Sequence, residues 1–210
     1  MSSAAHWENV YRTRSADQLS WYRPHLETSL RLIEETHPDR SGRIIDVGGG
    51  ASNLVDDLLE AGYRDLDVLD LSATALEFSQ RRMGDRAARV RWHCGDVTRY
   101  PFEPSSFDLW HDRAVFHFLT SAQERAAYVG QVARCVRPGG HVIVATFGPQ
   151  GPVRCSGLPV ERYSAEGLHD QFGVQFEPLR HLVEMHRTPA GAEQQFLYCL
   201  CRVSPAERRE

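Results

Sequence analysis

Apolar residues recur along this chain in two rhythms. Leu26, Leu30 and Ile33 stand at helical spacing, and His37-Pro38-Asp39-Arg40-Ser41-Gly42 breaks that spacing with turn-forming residues. From Arg43 onward, short apolar runs alternate with stretches of 3.6-residue period. They predict strand 43–47, helix 53–61, strand 66–70, helix 73–82, strands 89–93 and 107–111, and helix 122–135. A Pro138-Gly139-Gly140 turn precedes strand 141–147, helix 164–172, and two last strands near 174–186 and 194–203. Such alternation is the mark of an α/β fold, a mostly parallel seven-stranded sheet sandwiched between helices in three layers. Residues 187–192 are too few for a parallel crossover, so the last two strands are expected to form a C-terminal antiparallel hairpin. The stretch 148–159 is too rich in Gly and Pro for a regular element. It follows a strand's carboxyl end, where loops border the ligand crevice of open α/β sheets.

At 210 residues one hydrophobic core suffices, which gives an N-terminal helical extension over 1–41 and a single α/β domain over 42–210. With 41% apolar and 25% charged residues, the composition is that of an ordinary globular chain. A net charge of −4 leaves no basic stripe for a phosphate backbone, so nucleic acid is not an expected partner. Five irregularly spaced cysteines fit reduced thiols in a cytosol better than a disulfide framework. With no secretory leader and no apolar run of spanning length, a cytoplasmic location away from membranes is the expectation.

The chemistry concentrates at strand ends. A strand closing on Asp46 runs into Gly48-Gly49-Gly50 before a helix, a backbone able to approach a ligand closely. A dinucleotide fingerprint would require a third glycine where Asn53 stands. A carboxylate ahead of the glycines suits an ammonium group better than a pyrophosphate. Asp70 closes the second strand, where it can accept from ribose hydroxyls, and Asp96 follows the third, where it can accept from an adenine amino group. Any one of these alone reads equally as a cap or turn residue. Together they converge on one ligand.

With these residues the chain resembles the class I S-adenosylmethionine-dependent methyltransferases over roughly residues 43–147. The family's acidic residue and Gly-x-Gly-x-Gly correspond to Asp46, Gly48 and Gly50, with Ser52 in place of the last glycine. Phe107-Asp108-Leu109 and Val136-Arg-Pro-Gly-Gly140 resemble later motifs. The resemblance implies a Rossmann-like fold and S-adenosylmethionine as cofactor. It also implies that Asp70 holds the ribose, Leu71 packs on adenine, Asp96 and Val97 bind the adenine edge, and His111 lies beside the methionine part.

Before the core, Trp7, Tyr11, Trp21 and Tyr22 crowd a short segment. Trp7 and Tyr11 stand at i, i+4 and serve either to dock the extension or, as in methyltransferases with a Trp-x-x-x-Tyr lid, to close over the donor. After the fourth strand, His111, Asp112 and His117 are candidate acid–base groups, with Arg113 a substrate contact or half of an ion pair. Tyr22, Cys155, Tyr163, His186 and Gln195 are expected walls of an acceptor pocket. A metal site there is not expected, because a lone cysteine among scattered histidines is more often structural. The chain's size favours a small-molecule acceptor over a protein, acting as monomer or homodimer. Two alternatives remain. One is protein lysine methylation, which the extension and Leu66–Ser72 resemble, although His111-Asp112-Arg113-Ala114 replaces that group's Glu-Lys-Gly-Thr. The other is a non-catalytic protein that binds S-adenosylmethionine as sensor or structural element.

Overall fold

A computed structural model describes residues 4–204, so the outermost ends of the two expected segments, 1–3 and 205–210, lie outside the described residues. Helices α1 (Ala4–Thr13) and α2 (Glu27–Thr36) come first. Then follow β1 (Ile44–Val47), α3 (Leu54–Ala61), β2 (Leu66–Asp70), α4 (Ala73–Met83), β3 (Val90–Cys94), β4 (Phe107–Arg113), α5 (Ala122–Cys135) and β5 (Val136–Phe147). The chain ends with β6 (Arg154–Cys155), β7 (Leu158–Pro159), α6 (Ala165–Phe172), β8 (Phe176–Arg187) and β9 (Glu193–Val203). Among the described residues no helix is long and apolar enough to cross a membrane.

The main sheet has the order β3-β2-β1-β4-β5-β9-β8. Strands β1 to β5 run parallel, β9 is antiparallel to β5, and β8 and β9 form the expected hairpin. The strand order reverses between β1 and β4. There the crossovers leave to opposite sides and the carboxyl ends of the strands open a crevice.

Two cores flank the sheet, and the two-residue period of each strand assigns side chains to them. Ile44, Leu109, Ile143, Ala145, Phe147, Phe196, Tyr198 and Leu200 pack with α2, α3 and α4. Ile45, Val47, Trp110, Val142, Val144, Leu197, Cys199 and Cys201 pack with α5 and α6. Cys199 and Cys201 thus share the buried face that their spacing requires. The same parity sends His111 and Arg113 to one side of β4 and Asp112 to the other, which decides their chemistry.

Two local departures from expectation have clear causes. Pro138-Gly139-Gly140 lies within the span of β5 rather than before it, yet Phe107 pairs with Val136 and Leu109 with His141. Four residues of β5 therefore bulge against one of β4. The Gly- and Pro-rich stretch after β5 is not wholly irregular either. Ser156 (φ 48°) and Gly157 (φ 77°) supply the two positive φ angles of a tight hairpin turn, so β6 and β7 form a small ribbon. That ribbon carries Cys155 to the crevice.

On β2, beside the edge strand β3, the Asp67 side chain is fully buried and is satisfied from three sides. Arg43 donates at 2.7 and 2.8 Å, Arg91 Nη2 donates at 2.8 Å, and His93 Nε2 lies 2.6 Å away. Although burial acts against the charge, these donors together hold the Asp67 carboxyl well below the usual carboxylate range. Because the folded value is depressed, the stabilisation is present above the unfolded carboxyl value and is lost as pH falls. We expect Asp67→Asn to cost about 2 kcal/mol or more at neutral pH. Urea unfolding checks this, with the gap between variant and wild type closing below about pH 3.

Candidate active site

The crevice contains a cavity bounded on one side by Gly48, Asp70, Leu71, Asp96 and Val97 and on the other by Trp7, Tyr11, Trp21, Phe118 and Cys155. A second, smaller cavity shares Tyr11, Trp21, Gly48 and Arg113 with it and extends to Tyr22, Arg23, Asp46, Gly49 and His111. Carboxylates from the ends of β1 and β2 and from the turn after β3 thus border one continuous space.

Each glycine of the loop is pressed against a part of this site. A Cβ on Gly48, whose φ is +74°, would lie 2.2 Å from Val115 Cγ2. On Gly49 it would lie 2.2 Å from Asp46 Oδ2, and on Gly50 2.6 Å from both Asp70 Oδ2 and Ala75 Cβ. The loop is glycine because neighbouring side chains, the two carboxylates among them, occupy the volume that its own side chains would take.

Asp70 is held from behind. The Gly50 N–H donates to Oδ2 at 3.0 Å and the Ser72 N–H to Oδ1 at 2.8 Å. Burial outweighs these bonds and pushes its carboxyl up to about 6. Asp96 accepts from the Thr98 N–H and hydroxyl at 3.0 and 2.8 Å, which fixes the turn after β3. Asp46 Oδ1 meets His111 Nδ1 at 2.7 Å, and His111 Nε2 meets Ser29 Oγ at 2.9 Å. A carboxylate only accepts, so Nδ1 carries the proton. Asp46 Oδ2 is buried with no partner, an acceptor left for a ligand cation.

The N-terminal segment roofs the space. Glu8 accepts from the Thr74 hydroxyl and so pins α1 to the start of α4. Above the cavity Trp7 meets Phe118 edge-on at 5.0 Å and Trp21 at 5.8 Å, while Tyr11 meets Trp21 at 6.4 Å. Burial raises the Tyr11 phenol well above its ordinary value, and the Asp70 charge adds to this. Tyr11 stays neutral.

Several expected acceptor-side residues lie elsewhere. His117, a candidate base, is fully buried between the Phe118 and Phe147 rings, its Nδ1 accepting the Phe147 N–H at 3.3 Å. Burial lowers it to about 3, and it does not border the cavity. Asp112 points to the opposite core by strand parity and accepts from the Val115 and Phe116 N–H groups and the Tyr128 hydroxyl at 2.8, 3.0 and 2.6 Å. His111 has both ring nitrogens engaged. The acid–base expectations for these three are corrected on those grounds.

Tyr163 packs on Phe116 in the second core, His186 Nε2 donates to the Ser20 carbonyl at 2.7 Å, and Gln195 pairs with Gln150. None of these three lines either cavity. Tyr22, Arg113 and Cys155 do. Burial pushes the Cys155 thiol up to about 11, so it is not a thiolate at neutral pH. Ser29 and Tyr198, whose hydroxyl accepts from Arg113 Nε at 3.0 Å, hold the floor in place without any sequence signal. Ala114, at φ 73°, makes the turn out of β4 where a glycine would have announced it.

Residues 44–140 match the family described as Methyltransferase domain. The chain is 26% identical over 165 residues, 77% of its length, to the eEF1A lysine and N-terminal methyltransferase of Danio rerio, and spans 23% of that protein. Among solved structures, that described as "Conversion of a Disulfide Bond into a Thioacetal Group during Echinomycin Biosynthesis" superposes with a TM-score of 0.76 at 18% identity, covering 98% of this chain and 94% of the other. N-methyltransferase NodS from Bradyrhizobium japonicum WM9 with S-adenosyl-l-homocysteine gives 0.70 at 14% identity, covering 93% of this chain and 97% of the other.

The contact between the loop and Asp70 gives a direct test. Gly50→Ala is expected to lose about 1–3 kcal/mol of stability through overpacking, and to bind S-adenosylhomocysteine more weakly because Asp70 is displaced. A variant of wild-type stability and wild-type affinity, measured by denaturation and calorimetry, would contradict the packing described.

Proposed function

We propose that this chain, an S-adenosylmethionine-dependent methyltransferase by its domain and its fold, transfers the methyl group to a nucleophilic atom of a small-molecule acceptor. The observation that carries the reading is the convergence of Asp46, Asp70 and Asp96 on one roofed cleft beside a glycine loop that leaves no volume for side chains. The residues present fit the donor. The unpartnered, buried Oδ2 of Asp46 faces the need of an ammonium, and Asp70 and Asp96 offer acceptors to ribose and adenine. Leu71 and Val97 provide apolar contact for the base. When bound, S-adenosylmethionine supplies a methyl carbon on a positively charged sulfur.

The chain's own contribution is alignment, exclusion of water and electrostatics. Trp7, Tyr11 and Trp21 act as a lid whose aromatic faces attract a cation and keep solvent out. The acceptor would supply a lone pair and the donor its methyl carbon, and the chain's own residues would hold the two in line. Among the described residues that line the cleft the one histidine, His111, has both ring nitrogens engaged. Such a site suits a nucleophile that arrives ionised or with an available lone pair.

Protein lysine methylation is the second reading, favoured by the identity to the Danio rerio protein across 77% of the chain. The closed aromatic roof over the cleft supports a small molecule instead. Radiolabelled donor turned over with size-fractionated cell extract separates the two. Label is expected in the small-molecule fraction, and label confined to macromolecules would overturn the proposal. Because this chain contains no lysine, any labelled lysine must come from the extract.

Asp70 makes the pH dependence specific. With a folded value of about 6, above the unfolded carboxyl, its contribution to stability of the ligand-free protein is present in full below about pH 4 and is lost as pH rises through 6. Donor affinity runs the other way, since only the ionised carboxylate accepts two hydroxyl protons. Calorimetry is expected to show S-adenosylhomocysteine binding strengthening by several-fold between about pH 5 and 7. Asp70→Asn should bind weakly with that rise abolished. A rise of equal size in the variant would assign the titration to another group.

A further inference from the structure

Arg113 is buried more deeply than an arginine of ordinary surface chemistry, with its side chain 5% exposed. It closes β4, and parity sends it into the cleft side of the sheet. Its Nε donates to the Tyr198 hydroxyl at 3.0 Å, its Nη1 donates to the Trp21 carbonyl at 3.0 Å, and its plane lies 4.2 Å over the Phe196 ring. The guanidinium is therefore fixed in position and orientation. Nη2 alone has no hydrogen-bond partner.

The nearby acid does not satisfy that corner. Glu184 Oε1 lies 3.8 Å from Nη2, outside hydrogen-bond reach. Glu184 already accepts from the Thr28 hydroxyl at 2.6 Å and faces Arg23 Nη1 at 3.2 Å. Arg23 pairs with Glu27 as well, at 3.0 Å, and Arg113 Nη2 keeps an ion-pair contact with Glu184 but makes no hydrogen bond. A buried cation with an unmade donor is costly unless a ligand supplies the acceptor.

Arg113 borders both cavities, whereas Arg23 borders only the one beside Asp46 and Gly49. Arg23 is paired with Glu27 and Glu184, whereas Arg113 reaches the space walled by Trp7, Trp21, Phe118 and Cys155. We infer that Arg113 anchors an anionic group of the methyl acceptor, and that the acceptor is a small planar molecule bearing a carboxylate. The fixed fork suits a carboxylate, and the aromatic walls suit a flat ring. This rests on the methyltransferase reading.

The test uses the full chain saturated with S-adenosylhomocysteine. Calorimetry compares 4-hydroxybenzoate with 4-hydroxybenzamide, and 3,4-dihydroxybenzoate with its amide. The acids are expected to bind about tenfold or more tighter than the amides. In Arg113→Gln the acid-to-amide ratio should fall to about one, a loss larger than any change in S-adenosylhomocysteine affinity, and Arg113→Lys should keep part of the preference. Acid and amide binding alike to the wild type, or neither binding, overturns the inference. So does an Arg113→Gln loss of S-adenosylhomocysteine affinity as large as its loss of acid affinity, which would give Arg113 to the donor. Should Arg113→Gln fail to fold, the wild-type ratio and Arg113→Lys decide. Wild type that does not bind S-adenosylhomocysteine at all would fell the methyltransferase reading itself, a separate result.

Discussion

The link from Asp46 through His111 to Ser29 joins β1, β4 and α2 beneath the crevice, and the site depends on it. These are buried polar groups, and such groups are tolerated only when satisfied in sequence. Next to them Tyr198 on β9 accepts from Arg113 and also bonds Ser29, which brings a fourth element into the same floor. Strand order places these side chains side by side: β1 neighbours β4, β4 neighbours β5, and β5 neighbours β9. Were the strands reordered, no single member could keep its partners. The network therefore ties recognition chemistry to topology, and it leaves two polar corners open, Asp46 Oδ2 and Arg113 Nη2.

The glycine loop is the complement of that floor. Gly48 yields space to Val115, Gly49 to Asp46, and Gly50 to Asp70. The loop's freedom from side chains is thus set by the residues behind it as much as by any ligand in front. The same close packing fixes the carboxylates of Asp46 and Asp70, to which the proposed donor contacts are assigned.

What could be read from the sequence divides along physical lines. Strand and helix periods, the hairpin and the glycine loop are local signals, and they carried the sheet, its order of elements and the residues Asp46, Asp70, Leu71, Asp96 and Val97 to the cleft. Acceptor-side expectations rested on nearness in sequence, and there parity and tertiary contact intervened. His111, Asp112 and Arg113 are consecutive, yet Asp112 faces the other core and caps a turn. His117, Tyr163, His186 and Gln195 are buried by neighbours far along the chain. Ser29 and Tyr198 carry no motif, since a serine on a helix and a tyrosine on a strand are common in any core. The β6–β7 ribbon was hidden because Ser156 adopts a positive φ that its type rarely shows.

The charge pattern of the cleft gives these placements a direction. Carboxylates gather where the strand ends open, while the fixed guanidinium of Arg113 stands at the junction of the two cavities. The donor's sulfonium and ammonium would neutralise the first group, while Arg113 Nη2 has no hydrogen-bond partner among the described residues. The anionic acceptor proposed above would supply that partner, and its nucleophile would then be drawn toward a positive sulfur. With His111 tied at both nitrogens and His117 sealed in apolar packing, the proposed transfer would rest on orientation and field.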